Sequence, residues 1–131
     1  MIITLLLLKK ALASEIVIND IVIEPVTSEQ RVEYFAEKYN VSSEEMKTVI
    51  NCESGYNINA YNGNDIHRYS VGSHGIAQFS QQTFDYYSAQ AGVINGSPYN
   101  ENDAIETMAY MFSLGESGKK HWTCYRTFYL K

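Results

Sequence analysis

The stretch Asn51-Cys52-Glu53-Ser54-Gly55-Tyr56-Asn57 stands where a helical pattern gives way to a polar one. Upstream of it, Met46, Val49 and Ile50 recur at the spacing of one helix face. Ser42, with Glu45 three residues on, supplies a capping box that opens this helix, and Gly55 stops it. Glu53 therefore falls near the end of an apolar stripe, an unusual place for a carboxylate. Downstream, residues 55–74 hold many Asn, Gly and Ser and read as a long loop. Compact domains rarely carry a loop of that length without a purpose, and binding loops look like this.

Working outward, Val32, Phe35, Ala36 and Tyr39 mark an earlier helix that starts at Ser28 and breaks at Asn40 and Val41. A helix over about residues 80–91 follows the polar segment, then a turn region through Gly96 and Pro98. Asn100 or Asn102 caps a further helix that runs to Leu114, and Gly115 and Gly118 end it. Residues 119–131 are aromatic and short, and no internal repeat is visible. Before all this, Ile16, Ile18, Ile21 and Ile23 alternate with polar residues up to Pro25, the pattern of an extended lead-in over residues 14–27. The expectation is one mainly α domain over residues 28–131.

The length of 131 residues suits a single domain, which buries about two thirds of its unfolded surface. Eleven Tyr, five Phe and one Trp are more rings than such a core can absorb, so some must line a surface or groove. A pyranose stacks its apolar face on such rings and needs polar neighbours for its hydroxyls. The net charge of −5 excludes nucleic acid as a partner, because no basic stripe exists to neutralise phosphates. Lys119, Lys120 and Arg126 gather near the carboxyl end, where they could meet an anionic polymer or simply solvate a helix end.

Residues 1–8 are almost wholly apolar and are followed by Lys9, Lys10 and the triplet Ala11-Leu12-Ala13, which fits a signal peptide over residues 1–13. The lysines follow the apolar run instead of preceding it, so a mis-assigned start or a short anchor stays open. Eight apolar residues cannot span a bilayer, which takes about 20. Cleavage after Ala13 would remove two lysines and take the net charge from −5 to −7. An exported chain would be secreted, periplasmic or otherwise in the cell envelope. There the even pair Cys52 and Cys124 suggests a disulfide, worth about 4 kcal/mol for a loop of that length. Without export, two reduced thiols are the better reading.

Glu53 is the residue whose setting suggests chemistry. Burial raises a carboxyl pKa, which suits a general acid near neutral pH, although a helix-terminal glutamate is more often simply solvated. Three segments together shift that balance: Glu53-Ser54-Gly55-Tyr56-Asn57, then Gly75-Ile76-Ala77-Gln78, then Ala109-Tyr110. In this order they resemble the goose-type lysozyme and SLT-type lytic transglycosylase catalytic domain, over roughly residues 28–125. The resemblance implies a lysozyme-like fold with a long active-site loop, and peptidoglycan glycan strands as substrate. It makes Glu53 the sole catalytic carboxylate, oriented by Ser54. It places Gly75, Ile76 and Gln78 on the substrate, Gly75 by close backbone approach and Gln78 by an amide that donates and accepts. It sets Tyr110 near Glu53.

The sequence also departs from that family. The connection from Glu53 to Gln78 is longer than in a typical member, and Ala77 stands where Met is usual. The inserted segment holds Asp65, His67, Arg68 and His74, whose spacing matches no metal motif, so solvated loop residues and no metal are expected. No cofactor is expected. A single carboxylate favours a lytic transglycosylase that forms a 1,6-anhydro ring on N-acetylmuramic acid. If Asp65 faces Glu53, a lysozyme-type hydrolase is the alternative, and a catalytically silent wall-binding module is a third. A monomer is expected, and wall remodelling, a secretion or conjugation apparatus, or phage entry would each use this chemistry.

Overall fold

In a computed structural model the described residues are 16–18, 21–23 and 26–131. The expected leader over residues 1–13 lies outside them, as does part of the lead-in. Strands β1 (Ile16–Ile18) and β2 (Ile21–Ile23) pair antiparallel, so this part of the lead-in is a small hairpin instead of a single extended arm. Six helices follow among the described residues, and the chain is mainly α and lysozyme-like, as expected.

Helix α1 (Ser28–Tyr39) opens on Thr27, whose side chain accepts from Gln30 N–H while the Gln30 side chain returns the bond to Thr27 N–H. It buries Val32, Phe35 and Ala36 and ends at Asn40 in the left-handed conformation, φ 54°. Helix α2 (Ser43–Ser54) opens on Ser42, which accepts from Glu45 N–H at 3.1 Å. Only this half of the expected capping box forms, because the Glu45 carboxylate pairs with Lys119 at 2.7 Å. Met46, Val49 and Ile50 are fully buried, and Gly55 at φ 59° terminates the helix, which leaves Glu53 in its last turn.

The expected long loop after α2 is a second hairpin. Strands β3 (Tyr61–Ile66) and β4 (Val71–His74) pair antiparallel through Tyr61 with His74, Asn62 with Ser73 and Ile66 with Val71. Five of the six β3 residues are exposed, so no alternation of apolar and polar residues announces the strand. A tight turn follows: Gly75 accepts from Gln78 N–H at 3.1 Å, and His74 and Phe79 exchange backbone bonds across it. Gly75 is required there twice over. Its φ is 77°, and a Cβ at that position would stand 1.9 Å from the Pro98 carbonyl oxygen.

Helix α3 (Gln81–Gln90) opens on Ser80, and α4 (Glu101–Ser113) on Asn100. Helix α4 lies against α1 and α3 and supplies Ala104, Ile105, Met108, Ala109, Met111 and Phe112 to the core. The terminal residues, to which the sequence assigned no element, form two short helices, α5 (Glu116–Lys119) and α6 (Thr123–Tyr129). Helix α6 is too short and too rich in aromatic and β-branched residues to hold by propensity. Tertiary anchors hold it instead. Trp122 packs edge-on against Phe79 and Phe112, its indole N–H donates to the Ala77 carbonyl at 2.7 Å, and Tyr125 packs against Phe112. The expected Cys52–Cys124 disulfide is present, with Cα atoms 6.1 Å apart.

Gly75→Ala is expected to lower folding stability by roughly 3 kcal/mol in chemical denaturation, from left-handed strain plus the overlap with Pro98. Gly92→Ala is the control, since Gly92 also has positive φ but its added Cβ would meet nothing within 4 Å. It should cost only about 1 kcal/mol. Equal losses would show that the Pro98 turn yields freely.

Candidate active site

Glu53 is half-buried, and its Oε1 accepts the backbone N–H of Cys124 at 3.2 Å. That amide lies in the first turn of α6, where N–H groups have no partner within the helix. Trp122 precedes the helix and offers no side-chain cap, so Glu53 supplies the acceptor from another helix. Burial raises the Glu53 pKa first and most, and the charge of Asp65 raises it further. The Cys124 N–H and the Arg126 guanidinium pull it the other way, and the net shift is upward. A carboxyl group that accepts at Oε1 keeps its proton on Oε2, so one oxygen is held and the other is left to act as an acid.

Asp65 stands on β3 within a hydrogen-bonded chain. The Ser73 hydroxyl, on a residue only 2% exposed, donates to Asp65 Oδ2 at 2.6 Å. His67 Nε2 lies 3.2 Å from the same hydroxyl oxygen. The one hydroxyl proton goes to Asp65, so His67 must donate through Nε2–H. His67 lines a cleft of about 120 Å³ together with Gln78, Thr83 and His121, over Phe79 and Trp122. Thr83 and His121 continue into a shallower depression of about 330 Å³ beside Tyr86 and Tyr87. His121 has its pKa lowered by burial and then by Lys120 and Arg126, so it favours the neutral, accepting form.

The residues singled out by sequence fall into two groups. Glu53, Cys52 and Cys124 come together, and Gln78 lines the cleft. The Gln78 amide nitrogen donates to the Gly75 carbonyl at 2.9 Å and the Ala60 carbonyl at 3.2 Å. Both its protons are spent, so it offers the cleft an acceptor only, not the donor and acceptor expected. The others differ from expectation. Ser54 donates to the Ile76 carbonyl at 2.6 Å, which joins the end of α2 to the Gly75–Gln78 turn without touching the Glu53 carboxylate. The Ile76 side chain is fully buried in the core, and Gly75 packs against the Pro98 carbonyl. Tyr110 donates to Gln90 at 3.0 Å and meets the Tyr39 ring edge-on, and it is not among the groups acting on Glu53.

Sequence reasoning missed the Cys124 amide, His121, Thr83 and Ser73 and took His67 for a solvated loop residue, while Asp65 stood only as a conditional partner of Glu53. A backbone donor carries no side-chain signature. The lone tryptophan, Trp122, was the available clue that the terminal segment packs inward next to Glu53.

No curated protein and no solved structure matches the chain. The family described as Transglycosylase SLT domain matches residues 31–125, most of the chain, with Glu53, Gln78 and Cys124 inside the matched span. The match begins in α1 and ends in α6, so it takes in every element that positions Glu53. The protein is a member of the transglycosylase SLT domain family, whose substrate is the peptidoglycan of the cell envelope.

Proposed function

We propose that the protein cleaves the β-1,4 bond between N-acetylmuramic acid and N-acetylglucosamine as a lytic transglycosylase, with Glu53 as acid and then base. The observation that carries this reading is the half-buried Glu53 carboxyl, shifted toward its protonated form and held at Oε1 by the Cys124 amide. The Oε2 proton passes to the glycosidic oxygen as the bond to C1 breaks, and the N-acetylglucosamine chain leaves as an alcohol. The muramic 6-hydroxyl then bonds to C1 while its proton goes to the Glu53 carboxylate. The enzyme is restored, a 1,6-anhydro ring closes and no water is consumed. Intramolecular attack gains from proximity what a second carboxylate would otherwise supply.

Ser54 acts in this scheme by fixing the end of α2 against the Gly75–Gln78 turn, and Gln78 accepts from sugar hydroxyl or N-acetyl N–H groups. Export of the chain, as a monomer, accords with this substrate and with the disulfide. A hydrolase is the second reading, favoured by one observation: the charge of Asp65 acts on Glu53. Against it, Asp65 Oδ2 is occupied by the Ser73 hydroxyl.

Mass spectrometry of muropeptides released from purified peptidoglycan separates the two readings. Wild type should yield products one water lighter than hydrolysed muropeptides, and Glu53→Gln should lower release by about 1,000-fold. Reducing-end products would establish the hydrolase instead. Asp65→Asn should retain most activity, whereas a loss as large as that of Glu53→Gln would sink the single-carboxylate mechanism. Because Asp65 raises the Glu53 pKa, its neutralisation should also move the alkaline limb of the pH–rate profile to lower pH.

Stability supplies a separate check. Glu53 binds its proton more tightly in the folded than in the unfolded chain, so its contribution is full below about pH 4 and is lost as pH rises through the folded-state pKa. The thermal midpoint of Glu53→Gln relative to wild type should therefore rise from acid to neutral pH. A difference that stays flat would mean that burial does not perturb Glu53.

A further inference from the structure

Cys124 meets the acid twice. Its sulfur is bonded to Cys52, the residue immediately before Glu53, and its own backbone N–H donates to Glu53 Oε1. Together these bonds close a ring that runs from the carboxyl through the α2 backbone to Cys52, across the disulfide, and back through the Cys124 amide. Among the described residues, the bonds that join α6 to α2 are these two. Of the other anchors of the segment, the Lys119–Glu45 pair ties α5 to the first turn of α2, at the end far from Glu53, Trp122 bonds to the Gly75–Gln78 turn, and Tyr125 packs on α4. The sulfur bridge thus keeps the amide within reach of Glu53, and the amide selects which carboxyl oxygen is held.

We propose that the Cys52–Cys124 disulfide is a redox latch on the acid of the active site, with Cys124 as its positioning residue. This rests on the reading of Glu53 as that acid. Cys52 is the more exposed residue of the pair, and in the proposed reduction a dithiol reductant enters at the Cys52 sulfur. Its thiolate attacks that sulfur, Cys124 leaves as a thiolate and takes up a proton, and the second thiol resolves the mixed disulfide. Two electrons pass to the protein, which ends with two thiols, and the reductant ends as its own disulfide.

Opening the latch removes the one covalent tie between α6 and α2 beside Glu53, while Trp122, Tyr125 and the Lys119–Glu45 pair still hold the segment to the molecule, so the Cys124 amide is no longer fixed against the carboxyl. Glu53 then loses the donor at Oε1, and its two oxygens become equivalent. The charged groups acting on Glu53 are Asp65 from β3 and Arg126 from α6, and Arg126 rides on the element that loses this tie. Loss of the amide and retreat of the guanidinium both favour the protonated acid, so its titration moves upward. The enzyme is competent where disulfides persist and curtailed where thiols are kept reduced.

The test is NMR of the isotopically labelled protein, following the Glu53 carboxyl carbon and the Cys124 amide through a pH titration. It compares the oxidised chain, the same chain in dithiothreitol, and Cys52→Ala/Cys124→Ala, with muropeptide release measured in parallel. In the oxidised chain the Cys124 amide should titrate with the Glu53 midpoint. In both open forms that coupling should vanish, the midpoint should rise by up to about one pH unit, and release should fall about tenfold. Reoxidation should restore the dithiothreitol-treated sample. A bridge that only stabilises the fold would lower the unfolding midpoint but leave the Glu53 titration and the release rate unmoved, which would overturn the latch.

Should the open chain unfold, the oxidised protein alone decides, because a Cys124 amide blind to the Glu53 titration also overturns it. The catalytic reading fails separately, if oxidised wild type releases no more than Glu53→Gln.

Discussion

A carboxyl group buried at the end of one helix and an uncapped amide at the start of another are each unfavourable alone, and here each satisfies the other. Glu53 and the Cys124 N–H are 71 residues apart in sequence, and much of the fold is arranged to bring them within 3.2 Å. The residues around Cys124 are fastened accordingly. Trp122 bonds to the Ala77 carbonyl, Cys124 to Cys52, and Tyr125 packs on Phe112. The turn that receives Trp122 is itself joined to the end of α2 by Ser54 and wedged against Pro98 by Gly75. Helix α6 therefore exists where its sequence alone would not sustain a helix, and the acid is held from outside its own helix.

The same arrangement determines what the neighbouring cleft can recognise. Gln78 has both amide protons engaged, His67 uses Nε2–H toward Ser73, and His121 is biased to neutrality. Gln78 is left with its carbonyl oxygen, His121 Nε2 lies 3.3 Å from the Tyr87 hydroxyl, and Thr83, which accepts from Ser80, keeps its own hydroxyl proton, so the lining can both accept and donate. Under the proposed function, sugar hydroxyls and acetamido groups, which both donate and accept, suit such a lining.

The helices and their boundaries were legible because each rests on local chemistry. Ser42, Ser80 and Asn100 cap the helices that sequence placed there, and Gly55 and Asn40 end the two that it closed there. The hairpin was not legible, since β3 is almost wholly exposed and has no apolar side to alternate. Glu53 could be found because an apolar stripe leads up to it and the three family-like segments single it out. Of its partners, Asp65 could be named only conditionally, since its segment read as a loop, and the backbone amide not at all. Tyr110 was read beside Glu53 from a two-residue pattern, which cannot say which way the ring turns. Packing against Tyr39 and the bond to Gln90 decide that.

The distance along the chain between Glu53 and its amide partner has a consequence for biosynthesis. A polypeptide is made from its amino end, so the segment bearing Glu53 emerges well before the one bearing Cys124. Throughout that interval the acid has neither its holding donor nor its neighbouring bridge. A chain stalled, truncated or cleaved ahead of residue 124 therefore carries Glu53 without the amide that holds its Oε1 and without the bridge beside it.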